Sequence, residues 1–145
     1  MGIRRRLAVS AVATLSLAGF AAVTAAPADA ADHGSCGKGW STTPRDKAAI
    51  KSGKTTFAYV YAYVKSYPHS NHRDVCAIVR SAGKYTRSKH EMMIGLQFKG
   101  RAPAKVGSAR YYVGPVKDSI TGRYRAFGAI TIGKRVYNVN APWRS

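Results

Sequence analysis

Acidic residues are scarce in this sequence, where six Asp and Glu stand against 24 Lys and Arg and leave a formal net charge of +18 at pH 7. General acid–base catalysis draws heavily on carboxylates, so their shortage argues against many hydrolases. The chain also lacks a GxSxG nucleophile elbow, an HExxH metal motif, a P-loop and a dinucleotide-binding fingerprint. We therefore predict a non-enzymatic protein with no catalytic residues, no cofactor and no metal site.

A hydrophobic run long enough to cross a membrane is also missing. The apolar stretch at 7–22 falls short of the roughly 20 residues that a membrane span needs. It follows the basic residues 1–6 and precedes the small residues 28–30 (ADA), and these three parts in this order are typical of a secretory signal peptide. We predict a signal peptide over residues 1–30 and a single secreted all-β domain over residues 31–145.

Cysteine is represented by only Cys36 and Cys76. Neither belongs to a CxxC motif or a Cys/His cluster, which argues against a zinc site or a reactive thiol pair. The oxidising space outside the membrane favours joining them in a disulfide. Closing a loop of about 40 residues would stabilise the fold by roughly 4 kcal/mol on the loop-entropy model.

The pattern of apolar residues predicts mainly β-strands. Between 55 and 64, aromatic residues alternate strictly with Ala and Val, which is the period of a strand whose two faces are both covered. Similar patterns predict further strands at 75–80, 92–99, 109–113, 125–132 and 135–139. We expect a hairpin between the first two strands, a two-residue turn at Gly133–Lys134, and a short helix over 43–51. The fold class predicted is a small antiparallel β-sandwich or partly closed barrel of about six strands with one disulfide.

Cleavage after Ala30 removes Arg4, Arg5, Arg6 and Asp29 and lowers the net charge from +18 to +16. Such a charge attracts polyanions, including nucleic acid, anionic lipid, teichoic or teichuronic acids and other acidic glycans. The sequence leaves open whether the dispersed basic residues form one patch or a generally solvated surface. Because loops and strand edges would expose them, we predict these residues as the polyanion-binding set: Arg87, Lys89, Arg110, Arg123, Arg125 and Arg135.

The aromatic residues permit two interpretations. They could form a stacking surface for sugars or bases beside basic side chains, or they could pack in the core as strand tyrosines commonly do. The sequence does not choose between these alternatives. The residues concerned are Trp40, Tyr59, Tyr61, Tyr63, Tyr111, Tyr112, Tyr137 and Trp143.

Two small groups could carry chemistry. His69 and His72 with Asp74 could ligate a metal or act as acid and base, but a polar hairpin loop would have the same composition. His90 and Glu91, with Arg87 or Arg110 on a scissile phosphate, would suit a basic nuclease. Adjacent residues on a strand point to opposite faces, which weighs against that second group.

Four segments carry a resemblance to a known family. They are 36–40 (CGKGW), the Tyr/Val strand at 56–63, 74–80 (DVCAIVR) and 110–116 (RYYVGPV). In order and spacing they resemble the small secreted actinobacterial proteins of the spore-associated protein A family. That resemblance implies secretion and association with spores or the cell surface, and it implies no catalytic residues. The second cysteine pair of that family, near a CxxWGG-like strand, is replaced here by 124–129 (YRAFGA).

Together these observations predict a secreted, monomeric, extracellular or surface-held cationic protein that binds an anionic envelope polymer, with neither a transmembrane segment nor specificity for nucleic acid. The alternatives are a membrane-active or antimicrobial basic protein and a secreted basic nuclease. Binding that weakens steeply with salt would favour a polyanion binder. Leakage of anionic liposomes would indicate a membrane-active protein, and cleavage of RNA or DNA would indicate a nuclease.

Overall fold

Eight antiparallel strands make up the fold of this protein, in a computed structural model that describes residues 36–145. The predicted signal peptide lies outside the described residues. The strands are β1 (Asp46–Ser52), β2 (Thr55–Ser66), β3 (His72–Ser81), β4 (His90–Phe98), β5 (Ala104–Ala109), β6 (Tyr112–Thr121), β7 (Tyr124–Ile132) and β8 (Arg135–Asn140). A single 3-10 turn at Gly83–Arg87 joins β3 to β4, and the described residues contain no α-helix.

The strands form two four-stranded sheets that pack face to face. Sheet 1 has the order β1-β2-β3-β6, and sheet 2 has the order β5-β4-β7-β8. Side chains from both sheets meet in one buried cluster, which includes Val60 and Val79 from sheet 1 and Ile94 and Ile130 from sheet 2. The fold is therefore an antiparallel sandwich and not a closed barrel, which confirms the all-β prediction and settles its two alternatives.

Alternation along β2 determines which residues enter this core. Ala58, Val60 and Ala62 are fully or almost fully buried between the sheets, while the intervening tyrosines lie on the outer side of sheet 1. Space between the sheets is tight near Gly128, where an added Cβ would lie 2.5 Å from Val60 Cγ2. The residues beside β2 in sheet 1 must follow the same in-and-out pattern because the pairing register is fixed.

The predicted helix over 43–51 is wrong, because most of that segment is strand β1. Asp46 and Ile50 are buried and Lys47 is exposed, and β1 pairs with β2 from Asp46 opposite Ala62 to Ser52 opposite Thr55. The capping pattern at Thr43 and Pro44 is a local preference. Pairing with the free edge of β2 supplies hydrogen bonds and burial along the whole segment, and such tertiary contacts override local propensity.

Strands β1 and β5 account for the difference between the predicted six strands and the observed eight, and β6 is longer than its predicted counterpart at 109–113. Strand β5 lies mostly in the segment between the predicted strands at 92–99 and 109–113, and its Val106 is half exposed at the edge of the sheet. Strand β6 begins at Tyr112 and continues through Gly114 and Pro115 to Thr121, well beyond residue 113, where the corresponding predicted strand ends. The pairing with β3 shifts register between Ala77 and Val79, and a bulge is one of the few places where a sheet accepts proline.

The predicted turns and disulfide are present. Strands β2 and β3 form the expected hairpin. Ile132 pairs with Arg135 across the Gly133–Lys134 turn, and Gly133 has a φ of 62°. A positive φ at the first turn residue is what a type II′ turn requires. The Cys36–Cys76 disulfide closes a sequence separation of 40 residues and fixes the N-terminal arm to β3.

Tyr124 occupies an unusual position in the core. Its ring is 1% exposed, and its hydroxyl is the one buried side-chain polar atom without a hydrogen-bond partner among the residues described. Burial raises the pKa of Tyr124, and the nearby carboxylate of Asp46 raises it further. An unpaired buried hydroxyl costs about 1–3 kcal/mol, so this side chain is a local weakness of the fold.

We expect Tyr124→Phe to raise the free energy of unfolding by about 1 kcal/mol at pH 7, because the ring is kept and the unpaired hydroxyl is removed. The folded pKa lies above the unfolded value of 10.0, so this residue's contribution is intact below pH 10 and is lost as the pH rises beyond it. The variant should lack that part of the alkaline loss. Urea unfolding at pH 7 and above pH 10 measures both effects, and a variant less stable than wild type at pH 7 would contradict the prediction.

Candidate functional site

Unpaired positive charge is the dominant surface property of residues 36–145. This part of the chain contains 21 of the 24 Lys and Arg residues, because only Arg4, Arg5 and Arg6 precede it. Two of them form ion pairs within it: Arg144 with Asp46 at 2.6 Å and Arg101 with Asp118 at 3.6 Å. The remaining basic side chains have no carboxylate within ion-pairing distance in this range and are available to an external anion.

The outer side of sheet 1 carries a row of tyrosines from β2. Tyr59 and Tyr61 are partly exposed, whereas Tyr63 is 3% exposed and packs against the disulfide. The rings of Tyr59 and Tyr61 lie 6.0 Å apart with an interplanar angle of 47°. Tyr59 and Tyr61 therefore lie at the surface beside basic side chains, as the first interpretation of the aromatic residues required. Tyr63 is packed in the interior, as the second required.

Basic side chains from the neighbouring strands lie against these rings. Lys47 stands opposite Tyr61 in the β1–β2 register, and its Nζ is 4.2 Å from the Tyr59 ring centroid and 5.7 Å from that of Tyr61. Arg80 stands opposite Tyr59 in the β2–β3 register, and its guanidinium carbon is 6.0 Å from the Tyr61 ring centroid. Cation–π attraction at such distances holds the cation over the ring face.

A second group of the same kind lies beside the disulfide. The Cys36–Cys76 bond brings the N-terminal arm onto sheet 1, where Trp40 packs against the cluster formed by the disulfide, Tyr63 and Ile78. Two ammonium groups lie over the Trp40 ring, from Lys65 on β2 at 5.1 Å and from Lys117 on β6 at 5.9 Å. Like charges repel, so the shared ring and the external solvent must stabilise this pair.

We call the outer side of sheet 1 the cationic face and define it by four basic residues and three rings. These are Lys47, Lys65, Arg80 and Lys117 with Trp40, Tyr59 and Tyr61. The carboxylate nearest in register is Asp74, opposite Lys65, and it accepts a 2.5 Å hydrogen bond from the Tyr67 hydroxyl. Burial raises the pKa of Tyr63 beneath this face, and Arg80 partly offsets the rise.

The six basic residues predicted from the sequence lie in two groups at opposite ends of the sandwich. One group holds Arg87, Lys89, Arg110 and Arg135 around the β3–β4 and β5–β6 connections and the β7–β8 turn. Arg110 Nη2 donates a 3.2 Å hydrogen bond to the Arg87 carbonyl oxygen. The other group holds Arg123 and Arg125, whose guanidinium carbons are 5.6 and 4.7 Å from the Trp143 ring centroid.

The cationic face is a site that sequence reasoning missed as a unit. Lys47 lies in the segment predicted as a helix, and Lys117 lies outside every predicted strand. Lys65 could have been found, because it continues the period-two row of Tyr59, Tyr61 and Tyr63 on β2. Assigning the other three basic residues required the cross-strand register, which one sequence does not supply.

The first histidine group consists of His69, His72 and Asp74. Asp74 binds the Tyr67 hydroxyl, and His72 Nδ1 lies 3.1 Å from Thr121 Oγ1. His69 lies in the β2–β3 turn with a φ of 61°. Among residues 36–145 no set of three His, Cys, Asp or Glu side chains is arranged to hold a metal ion.

In the nuclease candidate group, the two neighbouring β4 residues lie in different environments. The imidazole Nε2 of His90 lies 3.2 Å from the Ser88 hydroxyl, and Glu91 is exposed on the opposite side of the strand. Arg110 directs its guanidinium to the backbone carbonyls of Thr86 and Arg87 at 3.4 and 3.2 Å. His90 and Glu91 therefore do not share one side of β4.

No helix within the described range is both long and apolar enough to cross a bilayer. Comparisons of the chain with protein-family models, with curated proteins and with solved structures found no match.

Proposed function

We propose that this protein is a secreted, non-enzymatic protein of the cell or spore surface that binds an anionic envelope polymer through the cationic face. The observation that carries the proposal is that four basic side chains on one side of one sheet each lie over an aromatic ring. An ammonium group held by a ring loses less conformational freedom on binding than a free surface lysine does. The face is therefore partly organised for anions before any ligand arrives.

The dimensions of the face favour a polymer over a small ion. From Tyr59 to Lys65 the row on β2 spans six residue-to-residue steps, or about 20 Å at roughly 3.3 Å per residue. Lys47 and Arg80 lie near one end of this row, and Lys65 and Lys117 near the other. A chain with phosphate or carboxylate groups at regular intervals can contact both pairs at once, and the second contact is then effectively intramolecular.

The rings also bear on which polymer is bound. Nonspecific single-strand nucleic-acid binders offer free aromatic faces on which bases stack. Here Tyr59, Tyr61 and Trp40 already have cations over their faces. The face is better suited to polymers that present charge without stacked bases, such as teichoic or teichuronic acids. The resemblance to spore-associated proteins and the predicted signal peptide agree with such an extracellular partner.

The test is the salt dependence of binding to a defined polymer. We expect the protein to bind purified poly(glycerol phosphate) teichoic acid at low ionic strength, with a logarithmic affinity that falls linearly with the logarithm of salt concentration. If each of the four basic residues releases roughly 0.7 counterions on contact, the slope of logarithmic affinity against logarithmic salt concentration should be about −3 for this face. Trp40 fluorescence in the Trp143→Phe variant reports binding at the face itself.

Uncharged wall polysaccharide at the same mass concentration serves as the control polymer, and it should leave Trp40 emission unchanged. No binding to teichoic acid at low salt, or an affinity that does not respond to salt, would overturn the proposal. Leakage of anionic liposomes at concentrations below those that saturate the polymer would also overturn it, in favour of a membrane-active protein.

A further inference from the structure

The second tryptophan marks another cluster of unpaired cations, at the far end of sheet 2. Arg125 on β7 and Arg123 in the β6–β7 turn have guanidinium carbons 4.7 and 5.6 Å from the Trp143 ring centroid. Neither arginine has a carboxylate within ion-pairing distance among residues 36–145. Two like charges at one ring are unfavourable unless something offsets their repulsion, and in the described structure only the indole and one amide oxygen do so.

Trp143 is held in place by the backbone that follows it. Arg144 forms a two-way backbone bridge with Tyr124, with N···O distances of 2.7 and 2.8 Å. The Arg144 side chain also pairs with the buried Asp46 at 2.6 Å. The backbone beside Trp143 is therefore anchored to both sheets through Arg144, and the tryptophan itself is 40% exposed. An exposed tryptophan fixed in this way costs little further ordering when a ligand packs on it.

Arg125 is positioned in a comparable manner. Its Nε donates a 2.7 Å hydrogen bond to Gln97 Oε1 on the adjacent strand β4. That bond uses one donor of the guanidinium and leaves the two terminal nitrogens free. A planar guanidinium with both terminal nitrogens free matches the oxygens of a phosphate group in a bidentate manner.

A shallow cavity of about 340 Å³ opens beside this cluster. Its surface is mainly apolar, and the side chains that line it include those of two basic residues, Lys99 and Arg123, together with Thr121 and Trp143. Gly122 completes the lining with a φ of 88°, a conformation that a residue with a side chain rarely adopts. The volume lies at the lower end of the range for small-molecule sites, which suits one sugar-sized unit.

We propose that this cavity binds the phosphate monoester of a single sugar or polyol. A monoester carries nearly two negative charges at neutral pH, which matches the lining residues Arg123 and Lys99, with Arg125 nearby over the Trp143 ring, better than a monovalent carboxylate does. The part of the Trp143 side chain that lines the cavity offers an apolar surface to the carbon skeleton, and Thr121 offers a hydroxyl partner. This site is separate from the cationic face, since it lies around the β6–β7 turn at one end of the sandwich and uses none of the same residues.

The experiment is a titration with glucose 6-phosphate in the Trp40→Phe background, where Trp143 is the remaining tryptophan. We expect a saturable change in Trp143 emission. Replacing Arg123 and Arg125 by glutamine should weaken the apparent affinity at least tenfold. The matched control, Arg87→Gln with Arg135→Gln, removes the same charge at the opposite end of the sandwich and should change the affinity less than twofold.

Titrations with glucose and with inorganic phosphate test the contributions of the sugar and of the phosphate group separately. We expect no saturable response to glucose and weaker binding of inorganic phosphate than of glucose 6-phosphate. The proposal is overturned if glucose 6-phosphate gives no saturable change, if inorganic phosphate binds as tightly, or if the control pair loses as much affinity as Arg123→Gln with Arg125→Gln. Polymer binding is followed at Trp40 in the Trp143→Phe variant, so this site and the cationic face can fail independently.

Discussion

Replacing all four basic residues of the cationic face by glutamine should lower the affinity for teichoic acid by roughly 100-fold at low ionic strength. The variant carries Lys47→Gln, Lys65→Gln, Arg80→Gln and Lys117→Gln. The estimate takes about 0.7 kcal/mol for each lost charge contact, within the range measured for exposed ion pairs. The slope of logarithmic affinity against logarithmic salt concentration should flatten by about 3, because four fewer counterion-releasing contacts are made.

A control variant with the same change in net charge distinguishes the contribution of the cationic face to affinity from that of the overall charge. Lys54→Gln, Lys84→Gln, Lys105→Gln and Lys134→Gln remove four exposed lysines at turns and at the edge strand β5. This control should lose less than tenfold in affinity and keep most of the salt slope. Equal losses in the two variants would show that binding follows net charge alone, and the face would then have no special role. Circular dichroism and urea unfolding verify that both variants fold.

Removal of the disulfide should have the largest effect on stability. In the Cys36→Ala, Cys76→Ala variant we expect the free energy of unfolding to fall by about 4 kcal/mol, because the unfolded chain regains the freedom of a loop of about 40 residues. For a domain of this size that corresponds to roughly 15 °C in melting temperature. Both sulfurs are buried, with Cys36 1% and Cys76 0% exposed, so some lost packing adds to the effect. Urea unfolding of variant and wild type measures the difference.

Reductant provides the matched control for this prediction. Wild type unfolded in dithiothreitol should approach the stability of the variant, and the variant itself should not respond to dithiothreitol. Trp40 emission should move to longer wavelength in the variant, because the arm is no longer fixed against sheet 1. A variant within 1 kcal/mol of oxidised wild type would contradict the prediction, as would unchanged Trp40 emission.

The fold was largely predictable because its strongest signals are local. The alternation in β2 and β4 has the period of a strand, and Gly133–Lys134 has the composition of a tight turn. Strand β1 was not predictable in this way, because Thr43 and Pro44 are good helix-start residues and β1 owes its conformation to pairing with β2. Strand β5 has little apolar pattern of its own, since its residues are mostly exposed at the sheet edge.

The candidate site was less predictable than the fold, for a physical reason. Loops are the usual place to look for exposed charge, and five of the six basic residues predicted from the sequence lie in or next to connections. On the cationic face, the basic residues lie within strands, and the partners that orient them belong to different strands. Their convergence depends on register, which a shift of one residue would reverse.

The disulfide also determines where proteolytic cleavage can occur without releasing a fragment of the protein. Proteases that cleave after basic residues would find Lys54 exposed at the tip of the β1–β2 turn, inside the ring closed by Cys36 and Cys76. A cut there leaves β1 covalently attached to β3 through the disulfide, so no fragment of sheet 1 can diffuse away. Exposed Lys99 and Lys134 lie outside that ring, and a cut at either leaves two pieces joined only by packing. The covalent link therefore protects the strands that carry Lys47, Tyr59 and Tyr61 against loss by a single cleavage.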